Sequence, residues 1–109
     1  MNLKTKQLLC KRGGCVYIIT NYNNTTLYTG VTSDLAFRMY QHVNKLFERS
    51  FSSKYNLYKL VYYKFYSTID EAISEEKRIK AGSRSSKERL INEINPGWID
   101  LYKTEVINW

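Results

Sequence analysis

Apolar positions along this chain follow two rhythms. Residues 16–20 and 27–31 are short runs of β-branched and aromatic types, and the six residues between them, 21–26, are rich in Asn and Thr, which is turn chemistry. The pattern predicts a β-hairpin with its turn centred near Asn23 and Asn24. Thr32, Ser33 and Asp34 then supply capping oxygens, and Leu35, Met39, Val43 and Leu46 recur at helical spacing, predicting an amphipathic helix over about 34–46. A polar loop over 48–56 leads to a third strand over 60–66, rich in aromatic and β-branched types. Thr68, with Glu71 three residues on, forms a capping box that opens a second helix, which runs to about Ala81 and stops at Gly82. A third helix over about 86–95 has Leu90, Ile91 and Ile94 as its apolar edge and ends before Pro96, the only proline. The order β-β-α-β-α-α predicts an α+β domain, a small three-stranded, mostly antiparallel sheet flanked by helices.

A chain of 109 residues suits a single core. The expected division is a flexible tail over 1–13, one domain over 14–102 and a short tail over 103–109. No run approaches 18 apolar residues, so no membrane span is expected, and Leu8-Leu9-Cys10 is too short for the core of a signal peptide. The expected location is therefore cytoplasmic. Cys10 and Cys15 form no CxxC pair and the single histidine is distant from both, which favours reduced thiols over zinc.

Charge narrows the choice of partner. The formal net charge is +7, and Lys77, Arg78, Lys80, Arg84, Lys87 and Arg89 fall within thirteen residues around Gly82-Ser83. A small basic domain gains binding free energy from nucleic acid by releasing counterions. The bland alternative is a basic, solvated surface.

Several residues resist a packing explanation. On the second helix the apolar face is drawn by Ile69, Ala72, Ile73 and Ile79, and Glu76 projects into its centre, whereas Glu71 and Glu75 project toward solvent. A carboxylate facing a core requires a partner or a cation. The packing alternatives are a helix end that rolls outward or an ion pair with Arg38. On the first helix His42 lies within the apolar arc and Arg38 at its margin, four residues apart and therefore neighbours. Two cationic groups side by side repel unless an anion such as phosphate lies between them; the alternative is a satisfied core histidine. In the hairpin, Tyr17 and Tyr28 can point the same way, with sheet core as the alternative for tyrosines that number ten in all. Gly30 within a strand marks a close approach by another backbone or a ligand. Tyr62, Tyr63, Phe65 and Tyr66 offer rings for base stacking, with core packing the expectation for at least two of them.

The segments Cys15-Val16-Tyr17 and Tyr28-Thr29-Gly30, then Arg38 and His42, then residues 71–77 around Glu76, residues 80–84 and Asn95-Pro96-Gly97-Trp98, resemble in order and spacing the GIY-YIG nuclease family. The likeness is to small stand-alone members related to the incision domain of bacterial excision-repair nucleases, and it covers roughly 14–102. Cys15 and Val16 stand where the family has Gly and Ile, and Thr29 where it has Ile. Some relatives carry a Lys after the second motif, where this chain has Thr32 or Ser33.

The resemblance implies a divalent-metal-dependent endonuclease acting on DNA, with DNA repair as its setting. It implies catalytic roles for Tyr17, Tyr28, Arg38, His42 and Glu76. Glu76 would hold a single Mg²⁺ or Mn²⁺. Contacts to nucleic acid would come from Gly30, Lys77, Lys80, Arg84, Lys87 and Asn95. The expected substrate is selected by structure or weakly by sequence, as branched, flapped or damaged duplex, with a protein partner or a dimer as a further expectation. The alternatives are a domain of this fold that binds nucleic acid without cutting it, and an interaction module whose charge is incidental.

Overall fold

The computed structural model describes residues 13–45 and 54–109. The turn after the first strand forms as its side chains dictate. The carbonyl of Asn21 accepts from the amide of Asn24 (3.0 Å), and its Oδ1 accepts from those of Thr25 (2.8 Å) and Thr26 (3.2 Å). Asn24 takes a left-handed φ of 58°, which a short polar side chain tolerates. The hairpin so closed is β1 (Gly14–Thr20) and β2 (Leu27–Thr32). The remaining elements are α1 (Leu35–Val43), β3 (Lys59–Tyr66), α2 (Ile69–Ala81), α3 (Arg84–Ile94), a short α4 (Leu101–Thr104) and a 3₁₀ turn (Val106–Asn108). The α+β class and the order β-β-α-β-α-α are as the pattern predicts, extended by the last two elements.

The sheet is antiparallel throughout, in the order β2-β1-β3. Tyr17 pairs with Gly30 and Ile19 with Tyr28, so both tyrosines project from one face. That face carries Cys15, Tyr17, Ile19, Leu35, Met39, Leu57, Leu60, Leu101 and Val106. The other face packs Val16, Ile18, Val61 and Tyr62 against Ala72, Ile79 and Ile91 of α2 and α3. A bulge at the β1–β3 pairing sets this division: Ile18 pairs with Tyr62 but Ile19 with Leu60. Val61 is the extra residue, so Val61 and Tyr62 both serve the α2–α3 face.

The helix ends follow the predicted chemistry. Asp34 accepts from the amide of Phe37, Thr68 from Glu71 and Ser83 from Ser86, each as an N-cap. The Glu71 carboxylate accepts from the hydroxyl of Ser67 (3.2 Å).

Four expectations are corrected. Val43 is exposed and not part of the α1 face, because α1 ends there; Leu46 lies outside the described residues, as do the tail over 1–12 and most of the polar loop. Ile94 is exposed too, since only Ile91 of α3 reaches the sheet fully. Glu75 is not free in solvent but ion-paired to Arg78. The segment 103–109, expected as a tail, is a packed cap. Val106 is buried, and Trp109 lies edge-on to Tyr63 (5.5 Å, 88°) and against Phe65 (5.6 Å). The hydroxyl of Tyr63 donates to Glu105. This cap takes Tyr63 and Phe65 into packing, while Tyr62 is buried on the opposite face.

Candidate active site

The site grows from the hairpin register. Tyr17 and Tyr28 are diagonal neighbours on β1 and β2, with ring centroids 6.4 Å apart. At Gly30, the cross-strand partner of Tyr17, a Cβ would stand 2.5 Å from Cζ and Oη of Tyr17. The close approach that a strand glycine signals is therefore made by Tyr17 itself. Gly30, expected to contact nucleic acid, instead makes room for the ring.

Helix α1 covers this face with Leu35, Met39 and His42 turned inward. His42 is only 6 % exposed, and its Nε2 lies 2.9 Å from Oη of Tyr17. Arg38, one turn earlier, donates from Nε to the same oxygen (3.3 Å) and from Nη1 to Oε1 of Gln41 (3.2 Å). The Tyr17 hydroxyl thus occupies the place expected for an anion between Arg38 and His42. Burial, then the charge of Arg38, lowers the His42 pKa from 6.5 to about 4. The imidazole is neutral near pH 7, so the expected repulsion does not arise. Burial raises the Tyr17 pKa to about 12 despite the opposing hydrogen bond and charge of Arg38. The phenol is protonated at rest. Since Arg38 donates to its oxygen, its own proton can point at His42 Nε2 when the imidazole carries its proton on Nδ1.

Glu76 joins this group through Lys80. Its Oε1 lies 3.1 Å from Nζ of Lys80, and the same ammonium stands 5.7 Å from the Tyr28 ring centroid. Glu76 is thus held in an ion pair within its own helix. The structure brings Tyr17, Tyr28, Arg38 and His42 into one cluster and ties Glu76 to its edge.

The family model for the GIY-YIG catalytic domain matches residues 13–90 of the 109. The chain belongs to that family. No curated protein and no solved structure matches it. The matched span holds both tyrosines, Gly30, Arg38, His42 and Glu76. The activity of a GIY-YIG catalytic domain is that of a nuclease, so nuclease-type phosphodiester chemistry is the setting for this cluster.

Other residues expected to touch nucleic acid have work inside the fold. Asn95 is 4 % exposed; its Nδ2 donates to the carbonyls of Val61 (3.1 Å) and Ile99 (2.9 Å), and its Oδ1 accepts from the amide of Ile99 (3.1 Å). It satisfies the carbonyl of the bulge and fastens the α3 C-terminus to β3. Arg84 donates to the carbonyls of Thr25 (2.7 Å) and Asn24 (2.6 Å), tying α3 to the hairpin turn. Lys87 donates to the carbonyl of Gly82 (2.6 Å), closing the end of α2. Lys77 and Arg89 are exposed. A surface cleft of about 350 Å³, lined by Arg78, Ile79, Ser86, Arg89, Leu90 and Glu93, lies on the α2–α3 side, across the sheet from Tyr17.

Among the described residues, the one carboxylate beside this cluster that could offer oxygens to a hard cation is that of Glu76, now paired to Lys80. Glu76 presents a mostly covered carboxylate, 13 % exposed, and no group of three or more His, Cys, Asp or Glu gathers among the described residues. A cation held there by one carboxylate would keep water and phosphate oxygens as its other ligands, as Mg²⁺ and Mn²⁺ commonly do. Two site features escaped the sequence reading. Gln41, as the partner of Arg38, is signalled only by i, i+3 spacing, and the double contact of Lys80 depends on how α2 lies along the edge strand β2.

Proposed function

We propose that this GIY-YIG domain is a divalent-metal-dependent endonuclease that hydrolyses phosphodiester bonds in DNA, selecting by structure or weakly by sequence. The observation that carries the reading is the Tyr17 hydroxyl held between Arg38 Nε (3.3 Å) and His42 Nε2 (2.9 Å). A buried phenol with a pKa near 12 is a poor base alone, but beside a neutral imidazole it can relay a proton. In this scheme Tyr17 takes the proton of the attacking water as it passes its own to His42. Arg38, on the exposed side of Tyr17, clamps the charge that develops on the phosphate. Tyr28 orients water or phosphate beside it. Glu76 holds the Mg²⁺ or Mn²⁺, which would supply charge neutralisation at the phosphate when bound.

The net charge of +7 supports attraction to a polyanion. Branched, flapped or damaged duplex is the proposed substrate class, in a DNA-repair setting, with a partner protein or a second copy supplying further selectivity. Two cysteines with no CxxC pair suit a reducing compartment, and we read the protein as cytoplasmic. No helix among the described residues is long and apolar enough to cross a membrane.

The test is a panel of end-labelled single-stranded, nicked, flapped and branched DNAs, incubated with Mg²⁺ or with a chelator. Divalent-dependent cleavage, strongest on the branched or flapped forms, is expected. Salt-sensitive binding without cleavage of any member would overturn the reading in favour of a non-cutting binder.

A further inference from the structure

Lys80 faces the same carboxylate that the proposed cation would use. Its Nζ is 3.1 Å from Oε1 of Glu76, four residues earlier on the same helix, and 5.7 Å from the ring centroid of Tyr28 on the edge strand. The pair is asymmetric. Glu76 is 13 % exposed, whereas Lys80 is 49 % exposed on a flexible stem that can carry its charge into water. A divalent ion held by Glu76 would take up the same carboxylate that the ammonium now neutralises. An ammonium still bonded to that carboxylate would then lie within a few ångströms of a doubly charged ion, a repulsion that persists even in water.

We infer that Lys80 is the resident counter-cation of the site, a placeholder that holds Glu76 beside Tyr28 and must swing out when a divalent ion enters. It is a positioning residue that acts through Glu76, not a member of the backbone-tracking patch. The inference rests on the reading of Glu76 as the cation ligand. Its consequence is a raised threshold for the ion: the carboxylate is kept neutralised and in place at low divalent concentration, and ion binding competes with an internal charge. Removing that charge should tighten ion binding. Replacing it with another cation should not.

The experiment measures Mn²⁺ binding to the full chain without DNA, reading free Mn²⁺ by electron paramagnetic resonance. Wild type, Lys80→Met, Lys80→Arg and Glu76→Gln are compared. Lys80→Met should bind about tenfold more tightly than wild type, Lys80→Arg should stay close to wild type, and Glu76→Gln should lose the site. Equal affinity in wild type and Lys80→Met, with Glu76→Gln still defective, overturns the placeholder role and leaves Glu76 as ligand. Undiminished binding in Glu76→Gln, or no binding in any variant, overturns both.

Discussion

The ring of Tyr17 lies in the space that a side chain at Gly30 would fill: a Cβ there would stand 2.5 Å from the Tyr17 hydroxyl oxygen. These two residues are partners across β1 and β2. The strand glycine therefore sets the direction in which the phenol reaches Arg38 and His42. Gly30→Ala should displace the ring, cost about 1–3 kcal/mol of stability through overpacking, and slow cleavage more than it weakens DNA binding. Urea denaturation and single-turnover cleavage measure the two effects; wild-type turnover in Gly30→Ala would show that Tyr17 does not need this placement.

Glu76→Ala should abolish cleavage and leave DNA affinity in place. Its stability should change by less than about 1 kcal/mol, because a partly exposed ion pair within one helix contributes little. Glu71→Ala is the suitable control, since Glu71 is exposed, whereas Glu75 is ion-paired to Arg78. Cleavage assays in Mg²⁺ on the three proteins decide it, and an active Glu76→Ala would remove the assigned ligand.

The pH dependence of stability follows from His42. Burial and Arg38 lower its pKa from 6.5 to about 4, so between these values the unfolded chain binds a proton that the fold excludes. The contribution of His42 should be complete above pH 6.5, be lost as pH falls through the window, and level off below about 4. The full loss is at most about 3 kcal/mol. Denaturation at a series of pH values, subtracting a His42→Ala profile from that of wild type, isolates it; parallel profiles would show a histidine that titrates freely. Near neutral pH, His42→Ala should slow the chemical step by roughly tenfold to a thousandfold.

The basic segment divides by what each cation already holds. Arg84 and Lys87 donate to backbone carbonyls, so their replacement by Gln should lower stability with little effect on the salt dependence of binding. Lys77→Gln with Arg89→Gln should flatten the plot of log binding constant against log salt by up to about two units, sparing the rate at saturating substrate. Fluorescence titrations over a salt series test this, and an unchanged slope would place the phosphate contacts elsewhere.

Asn95→Ala should act on the fold and not on the substrate. Losing the amide leaves the Val61 carbonyl and the Ile99 amide without their partner, a cost of about 2–4 kcal/mol. Denaturation should show that loss while DNA affinity per folded molecule stays constant. The reverse pattern would return Asn95 to the nucleic-acid contacts.

What the chain determined by itself was local. Turn chemistry at Asn21 and Asn24, capping oxygens at Asp34 and Thr68, and helical spacing along α1 and α2 are interactions within a few residues, so they are written in neighbouring positions. Order and spacing also carried the family, because Arg38 and His42 share a helix and the two tyrosines share a hairpin. The tertiary structure decided everything that depends on what lies opposite. The bulge at Val61 reassigns one strand between two faces, and no local pattern announces it. The cap formed by Val106 and Trp109 reads as a short tail until β3 is beside it. Gly30, Asn95, Arg84 and Lys87 look like ligand-facing residues in isolation. Their partners are a tyrosine ring and backbone carbonyls from distant segments, and only folding brings those within reach.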